Sequence, residues 1–467
     1  MALAIVLLLV YLVVAHLVFL FGQIIPIDFY QYWGAAAARR LSTEQLGSPY
    51  REARRYGAIL AEAARRSSQP RFERVSEYAT PPNFTATPFA YTLFAGLPTD
   101  YTHASRLYYA LQILLFLVAV GTLGLVYRYP LFPLLCLALL LVHGSSALNS
   151  DLRLGNVGCL QFVSLAVLLG LIHPLRAGSP SAALGGLALG GLTLLALAKP
   201  NVALAAILMA LHLWVAHGFR FFARAALPAA LAGGAAVILS CVYFGSWTVW
   251  QEWYGAVAGP QPGTVGRLSS VGAHYVAGNY ATPLLLGFWL RLGGWTATAF
   301  LAAALVASAA AVVGWSVWRD AGARAASGRA ALARVFGDPH VTMAIGVTLT
   351  LALPPLVWYH YYVIALVPSL WLLSVPSESP VPRLCGLIAL VLSAGLPTSL
   401  LLLLGWSSAG HVCAALSWVA VWCGTLLRLS ERAPTATPSE AERHPARGPA
   451  AEGARHRRRR SRAAARP

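Results

Sequence analysis

The chain has 467 residues, 58% of them hydrophobic and only 11% charged, with a mean hydropathy of +0.64. Average soluble domains carry roughly 25% charged residues, so a single water-exposed globular core is excluded. Segments alternating over about ten residues are missing, which excludes an outer-membrane barrel. Many apolar runs instead approach the ~20 residues that span a bilayer as a helix, and the fold class read from them is an all-α polytopic membrane protein.

In chain order, the first run covers residues 2–22. It has no basic n-region, so it reads as an uncleaved helix rather than a signal peptide. Directly after it comes Ile27-Asp28-Phe29-Tyr30-Gln31-Tyr32-Trp33, a carboxylate near the bilayer boundary among side chains that stack on or hydrogen-bond a sugar. The polar segment from Gln23 to Arg106 holds ten Arg and seven acidic residues. Within it Thr43–Ser67 has a helical look, and Phe84–Leu97 is too short to span, which predicts an interfacial or re-entrant helix. Spans follow at about 104–126, 131–148, 156–174, 183–198, 200–216 and 225–243. A second polar loop at 244–279 is rich in Trp, Gly and Ser, and Pro283–Leu290 reads as re-entrant. Further spans at about 295–317, 341–357, 361–375, 384–404 and 411–427 bring the expected total to about 12.

With the N-terminus in the cytoplasm, the turns at Arg128, Arg176, Arg220/Arg224, Arg319–Arg334 and Arg383 and the tail all fall inside, as the positive-inside rule asks. The basic 23–106 segment falls outside, and long segments translocate largely regardless of charge. The formal net charge is +18; residues 431–467 carry ten Arg against four Glu and supply +6 of it. That tail reads as a disordered cytoplasmic extension, and the charge as partnership with anionic lipid rather than nucleic acid. The expected domains are therefore 1–430, embedded in the plasma membrane, and 431–467.

The six cysteines (Cys136, Cys159, Cys241, Cys385, Cys413 and Cys423) are scattered through apolar stretches, so neither a disulfide frame nor a zinc site is expected. No G-x-x-x-x-G-K-[ST], G-x-S-x-G or H-E-x-x-H pattern occurs, nor an acidic D-x-D pair that could hold a metal ion.

The unusual polar residues gather on the outer face: Asp28, Asp151 with Arg153, Lys199, Glu252, His274, Asn279 and His360. Asp28 reads either as a carboxylate that takes a proton or as the N-cap of a helix starting at Phe29. Lys199 is the only lysine among 34 basic residues. It reads either as a point charge for a lipid phosphate or as a snorkelling side chain at an ordinary helix end. His360 is a base or phosphate ligand, or one more residue of an interfacial aromatic belt. Asp151 and Arg153 read as a pair across a short turn, followed by Gly155-Asn156-Val157-Gly158, which could open a helix whose amides suit an anion. Trp247, Trp250 and Trp253 predict an interfacial helix.

The order of these motifs resembles glycosyltransferase family 87, the polyprenyl-phosphate-mannose-dependent α-mannosyltransferases, over roughly residues 5–430. The likeness rests on Asp28-Phe29-Tyr30 with Ala35, Ala36 and Pro49-Tyr50, and on Thr80-Pro81-Pro82 with Pro88 and Leu97-Pro98. Lys199-Pro200, Gly278-Asn279, and Pro355 with Trp358 and His360 complete it. Gly155-Asn156-Val157-Gly158 stands where Gly-Gln-x-Asn is usual, and Tyr361 replaces a second His. The resemblance implies a C-type glycosyltransferase (GT-C) fold with a long first extracytoplasmic loop and a catalytic Asp in it. It implies a polyprenyl-phosphate sugar donor, a glycolipid or glycan acceptor, and no metal or other cofactor. The expected site is Asp28 and His360 for catalysis, Lys199 and His360 for the donor phosphate, and Tyr30, Tyr32, Trp33, Asn156, Asn279 and Trp358 for substrate. The competing expectation is a secondary transporter or lipid-linked sugar flippase, which often shows repeated halves; none is evident. A ligase using a diphosphate-linked glycan is the third.

Overall fold

The computed structural model describes residues 2–23, 26–79, 84–173, 181–258, 280–321, 328–354, 357–374, 376–377, 379–395 and 409–431. Asn279, His274, Thr80-Pro81-Pro82, Pro355 and the tail beyond Glu431 lie outside them. The chain divides into two units, 1–430 and 431–467. Every regular element among the described residues is a helix, and none is a strand.

Helix α1 (Ala2–Gln23) is an apolar rod whose Leu7, Leu8, Tyr11, Val18 and Phe19 all stand more than half exposed. After it the chain turns polar and folds into short helices: α2 (Ile27–Leu41), α3 (Ala53–Ser67), α4 (Pro70–Tyr78) and α5 (Pro88–Leu93). Helix α2 has Asp28 in its first turn and Arg39 and Arg40 in its last, both favourable to the helix dipole. Helix α3 buries Tyr56, Leu60 and Ala64, four residues apart, and leaves its arginines outside. These faces close over a core of their own, shared with the start of α6 (Tyr101–Tyr127) and the end of α12 (Phe219–Phe244). It is mostly aromatic: Trp33 meets Phe72 and Tyr101 edge-on, and Phe72 stacks on Tyr101 at 5.2 Å. The expected helix over Thr43–Ser67 is shorter than its pattern, because Gly47 and Pro49 lie in the first half and a residue before proline avoids helical backbone.

A larger core joins the apolar helices. They are α6, α7 (Leu131–Gly144), α8 (Ser146–Leu154), α9 (Gly158–Ile172), α10 (Ala182–Ala198), α11 (Ala203–His217) and α12; after α13 (Val249–Ala258) come α14 (Thr282–Leu290), α15 (Gly294–Ala321), α16 (Gly328–Phe336), α17 (Pro339–Ala352), α18 (Leu366–Ser374), α19 (Val381–Ala394) and α20 (Ala409–Ser430). Helices α10 and α12 approach closely through small residues: a Cβ on Gly186 would lie 2.8 Å from Pro228 Cγ, inside α12. Gly346 of α17 likewise rests on Ala205 Cα of α11.

Five helices are long and apolar enough to cross a membrane, within 101–127, 200–217, 219–244, 295–320 and 410–430. Two bent pairs, α7 with α8 (58°) and α16 with α17 (77°), bring the number to seven if each is one span. Four shorter apolar helices stand beside them. Leu125, Leu131 and Trp295 are at least 80% exposed, and apolar surface on this scale belongs in lipid. The chain is thus a membrane-embedded helical protein. The expected single span at 131–148 instead breaks at Ser145, whose hydroxyl accepts the Leu148 N–H and starts α8. Residues 149–154, between the expected spans at 131–148 and 156–174, are therefore helical. The expected span at 361–375 begins as a 3-10 helix, Tyr359–Ala365, before α18.

Candidate functional site

Helix α2 starts at Ile27, so Asp28 lies inside its first turn and makes no capping bond; the N-cap position is Pro26. That frees the carboxylate to face the turn between α8 and α9. Gly155, in the left-handed conformation at φ +67°, lets this turn lie on α2, because a Cβ there would come within 2.5 Å of Phe29 Cβ. The close approach brings the next residue, Asn156, to Asp28.

Asn156 Nδ2 donates to Asp28 Oδ2 at 2.6 Å, and its Oδ1 accepts from Lys199 Nζ at 3.2 Å. One side-chain amide thus joins the carboxylate to the ammonium. The Val157 N–H also donates to Asn156 Oδ1 at 2.7 Å, which fixes the sense of the amide. Tyr108 and Gln112, one turn apart on α6, both donate to the Asn156 backbone carbonyl. Lys199 ends α10 in extended backbone, and Pro200 opens a single 3-10 turn before α11. Its ammonium also lies 3.4 Å from the Tyr32 hydroxyl and 5.1 Å from the Tyr361 ring centroid.

Burial raises the Asp28 pKa above the ordinary carboxylate range, and the Lys199 charge and the Asn156 hydrogen bond pull it part of the way back. Burial of Lys199 acts to strip its proton, but the Tyr32 and Tyr361 oxygens and Asp28 outweigh it and keep the ammonium charged. Burial pushes the Tyr32 hydroxyl up to about 12, so it stays a neutral hydroxyl, whose oxygen accepts from Lys199.

His360 lies in the 3-10 helix, 1% exposed, with neither ring nitrogen hydrogen-bonded; its ring meets Tyr361 edge-on at 4.7 Å. Trp358, half-buried, packs on the larger core just before it. Tyr30 and Trp33, expected as substrate contacts, are fully buried. The Trp33 indole N–H donates to the Pro98 carbonyl at 2.7 Å, so both rings serve the loop core. Tyr32 alone of the three turns towards Lys199, stacked on Phe94 at 4.9 Å.

Asp151 is not paired with Arg153 as expected. It is fully buried and accepts the Gly158 and Cys159 N–H groups at 3.0 Å each, while Arg153 is exposed. The amides at the start of α9, expected as an anion site, are thereby occupied by the chain's own carboxylate. A side chain at Gly158 would collide with it. Glu252 pairs with Arg51 at 3.0 Å and accepts from Thr248, tying α13 to the first loop.

A groove of about 700 Å³, lined entirely by apolar side chains, runs along α10 and α12 between Leu194, Ala235 and Leu239, with Phe89 of α5 in its wall. Phe89 also packs with Ala198, and Thr87 donates to the Ala198 carbonyl at 3.2 Å. The residue before Lys199 thus touches Phe89 in the groove wall, while the groove's own α10 residue is Leu194. No group of three or more His, Cys, Asp or Glu side chains placed to hold a metal ion occurs among the described residues.

Sequence reasoning missed Tyr108, Gln112 and Gln161. The signal was present: each is a polar group inside a run read as a span, and such groups cost free energy unless they have work to do. Comparison of the chain with protein-family models, curated proteins and solved structures finds no match.

Proposed function

We propose that this protein is an inverting GT-C glycosyltransferase of about twelve spans, akin to family 87. It transfers a hexose, with mannose the expected sugar, from a polyprenyl-phosphate donor to an envelope glycolipid or glycan acceptor. The site faces away from the cytoplasm in the plasma membrane, and both termini are cytoplasmic. The observation that carries this reading is the Asp28–Asn156–Lys199 bridge: a base and a cation held at fixed spacing beside an apolar groove. The groove suits a hydrocarbon chain, Lys199 suits a phosphate, and Asp28 suits the proton of an attacking hydroxyl.

In this mechanism the acceptor oxygen forms a bond to the anomeric carbon as its proton passes to Asp28. The bond from that carbon to the phosphate oxygen breaks, and the electron pair leaves with the lipid phosphate, stabilised by Lys199. His360, with both nitrogens unpaired, supports this reading as a further contact for the phosphate or the acceptor. Asp28→Asn keeps the shape and removes the base. With labelled polyprenyl-phosphate mannose and purified protein in detergent, we expect transfer to fall by about a thousandfold or more with folding intact. Full transfer by this variant would overturn the assignment. Transfer by the wild type in detergent, where no compartments exist, excludes a pure transporter or flippase.

A further inference from the structure

The segment around the α10 break is tied to the start of α9 twice. The first tie is Asn156 with Lys199. The second lies five residues on, where Gln161 Nε2 donates to Asn201 Oδ1 at 2.8 Å. Gln161 is fully buried, and the tie leaves two buried atoms without a partner: Gln161 Oε1, an acceptor, and Asn201 Nδ2, a donor. Exchanging oxygen and nitrogen on both amides reverses the bond but again leaves one carbonyl and one NH₂ unmatched. The pair thus presents a donor and an acceptor whichever way the amides are assigned. Buried polar atoms are nearly always matched in folded proteins, so the pair calls for a partner that both gives and takes a hydrogen bond.

A water molecule or a sugar hydroxyl does this at one oxygen. A carboxylate offers acceptors only and an ammonium donors only, and each would leave one amide atom unmatched. The neighbouring 3-10 helix, which packs on α9, carries His360 with two more unpaired nitrogens. We propose that Gln161 and Asn201 are the specificity-determining pair for the transferred group and bind one hydroxyl of a neutral sugar. This rests on the transferase reading, in which Lys199, two residues before Asn201, holds the phosphate bearing that sugar.

The test is binding by the full chain in lipid nanodiscs. The probes are bare polyprenyl phosphate, polyprenyl-phosphate mannose and its monodeoxy analogues. The wild type should prefer the sugar-bearing lipid over the bare one by about tenfold or more, and one deoxy analogue should lose most of that preference. Gln161→Leu, and the near-isosteric, uncharged Asn201→Leu in case the first does not fold, should abolish the preference while binding bare lipid within about twofold of wild type. Unchanged discrimination in both variants would overturn the proposal. So would an equal loss towards both lipids, which marks the pair as a structural tie. Lys199→Met separates the two readings: if it leaves bare-lipid binding untouched, the transferase reading fails whatever the amide variants do.

Discussion

Asn156 has little hydrogen-bonding capacity left for a ligand. Its side-chain oxygen takes Lys199 and the Val157 N–H, its backbone oxygen takes Tyr108 and Gln112, and one of its two amide hydrogens goes to Asp28. It is better understood as a positioning residue than as the substrate contact expected from sequence. Asn156→Leu should lower kcat by about a hundredfold with a smaller effect on KM, since misplacement of a reacting group costs on this scale. A pH profile reads the same contact. In the proposed mechanism Asp28 works as the carboxylate, so transfer should fall as pH drops through its raised pKa, above the ordinary value of about 3.9. Asn156→Leu removes a bond that stabilises the carboxylate and should move that acid limb to higher pH. Lys199→Met should move it further, because the Lys199 charge is the larger stabilising influence. An acid limb that stays in place in both variants would show that neither residue acts through Asp28.

At the scale of elements, the turn between α8 and α9 governs where Asp28 points. Gly155 is its hinge, with positive φ and Phe29 immediately against it. Gly155→Ala should destabilise by about 1–2 kcal/mol from backbone conformation alone, and further from the collision. Calorimetry should show a lower Tm, and residual transfer should fall because Phe29 follows Asp28 in α2. Sequence reading reached Asp28 and Lys199 because a charge at the end of an apolar run stands out against its neighbours. It did not reach their link, since Asn156 lies 128 residues from the first and 43 from the second, and only tertiary packing joins them. Asp151 was misread for a related reason. An acid two residues from an Arg looks the same in sequence whether it pairs with that Arg or reaches across a turn to cap the next helix. Tyr30 and Trp33 were misread because aromatic residues near a membrane boundary serve sugar sites and buried cores alike.

Across the whole molecule, the exposed apolar girdle and the separate aromatic core of the first loop divide the chain into a lipid-facing body and a cap. Composition made the body legible, but the number of crossings was not, because hydropathy does not register a 58° bend or a 3-10 start. The proposed orientation places the cap and the turn after α6 on opposite sides. In a background lacking the six native cysteines, Thr43→Cys should react with an impermeant maleimide added to intact spheroplasts, and Arg128→Cys only after lysis. Both positions are exposed. Labelling of both from the same side would overturn the face assignment.

The capping of α9 by Asp151 also sets a rule of charge counting. With those amides already satisfied, a bound anion draws no help from the helix end and meets Lys199, a single positive charge. A phosphodiester donor carries one negative charge, which shares Lys199 with the Asp28 carboxylate. A diphosphate-linked donor would bring a second charge into surroundings of low dielectric, where an uncompensated ion is costly. Monophosphate-linked donors should therefore compete out diphosphate-linked ones by about tenfold or more at equal concentration. Replacing Asp151 with Asn, which lowers the local negative charge while keeping the side chain's size, should narrow that margin.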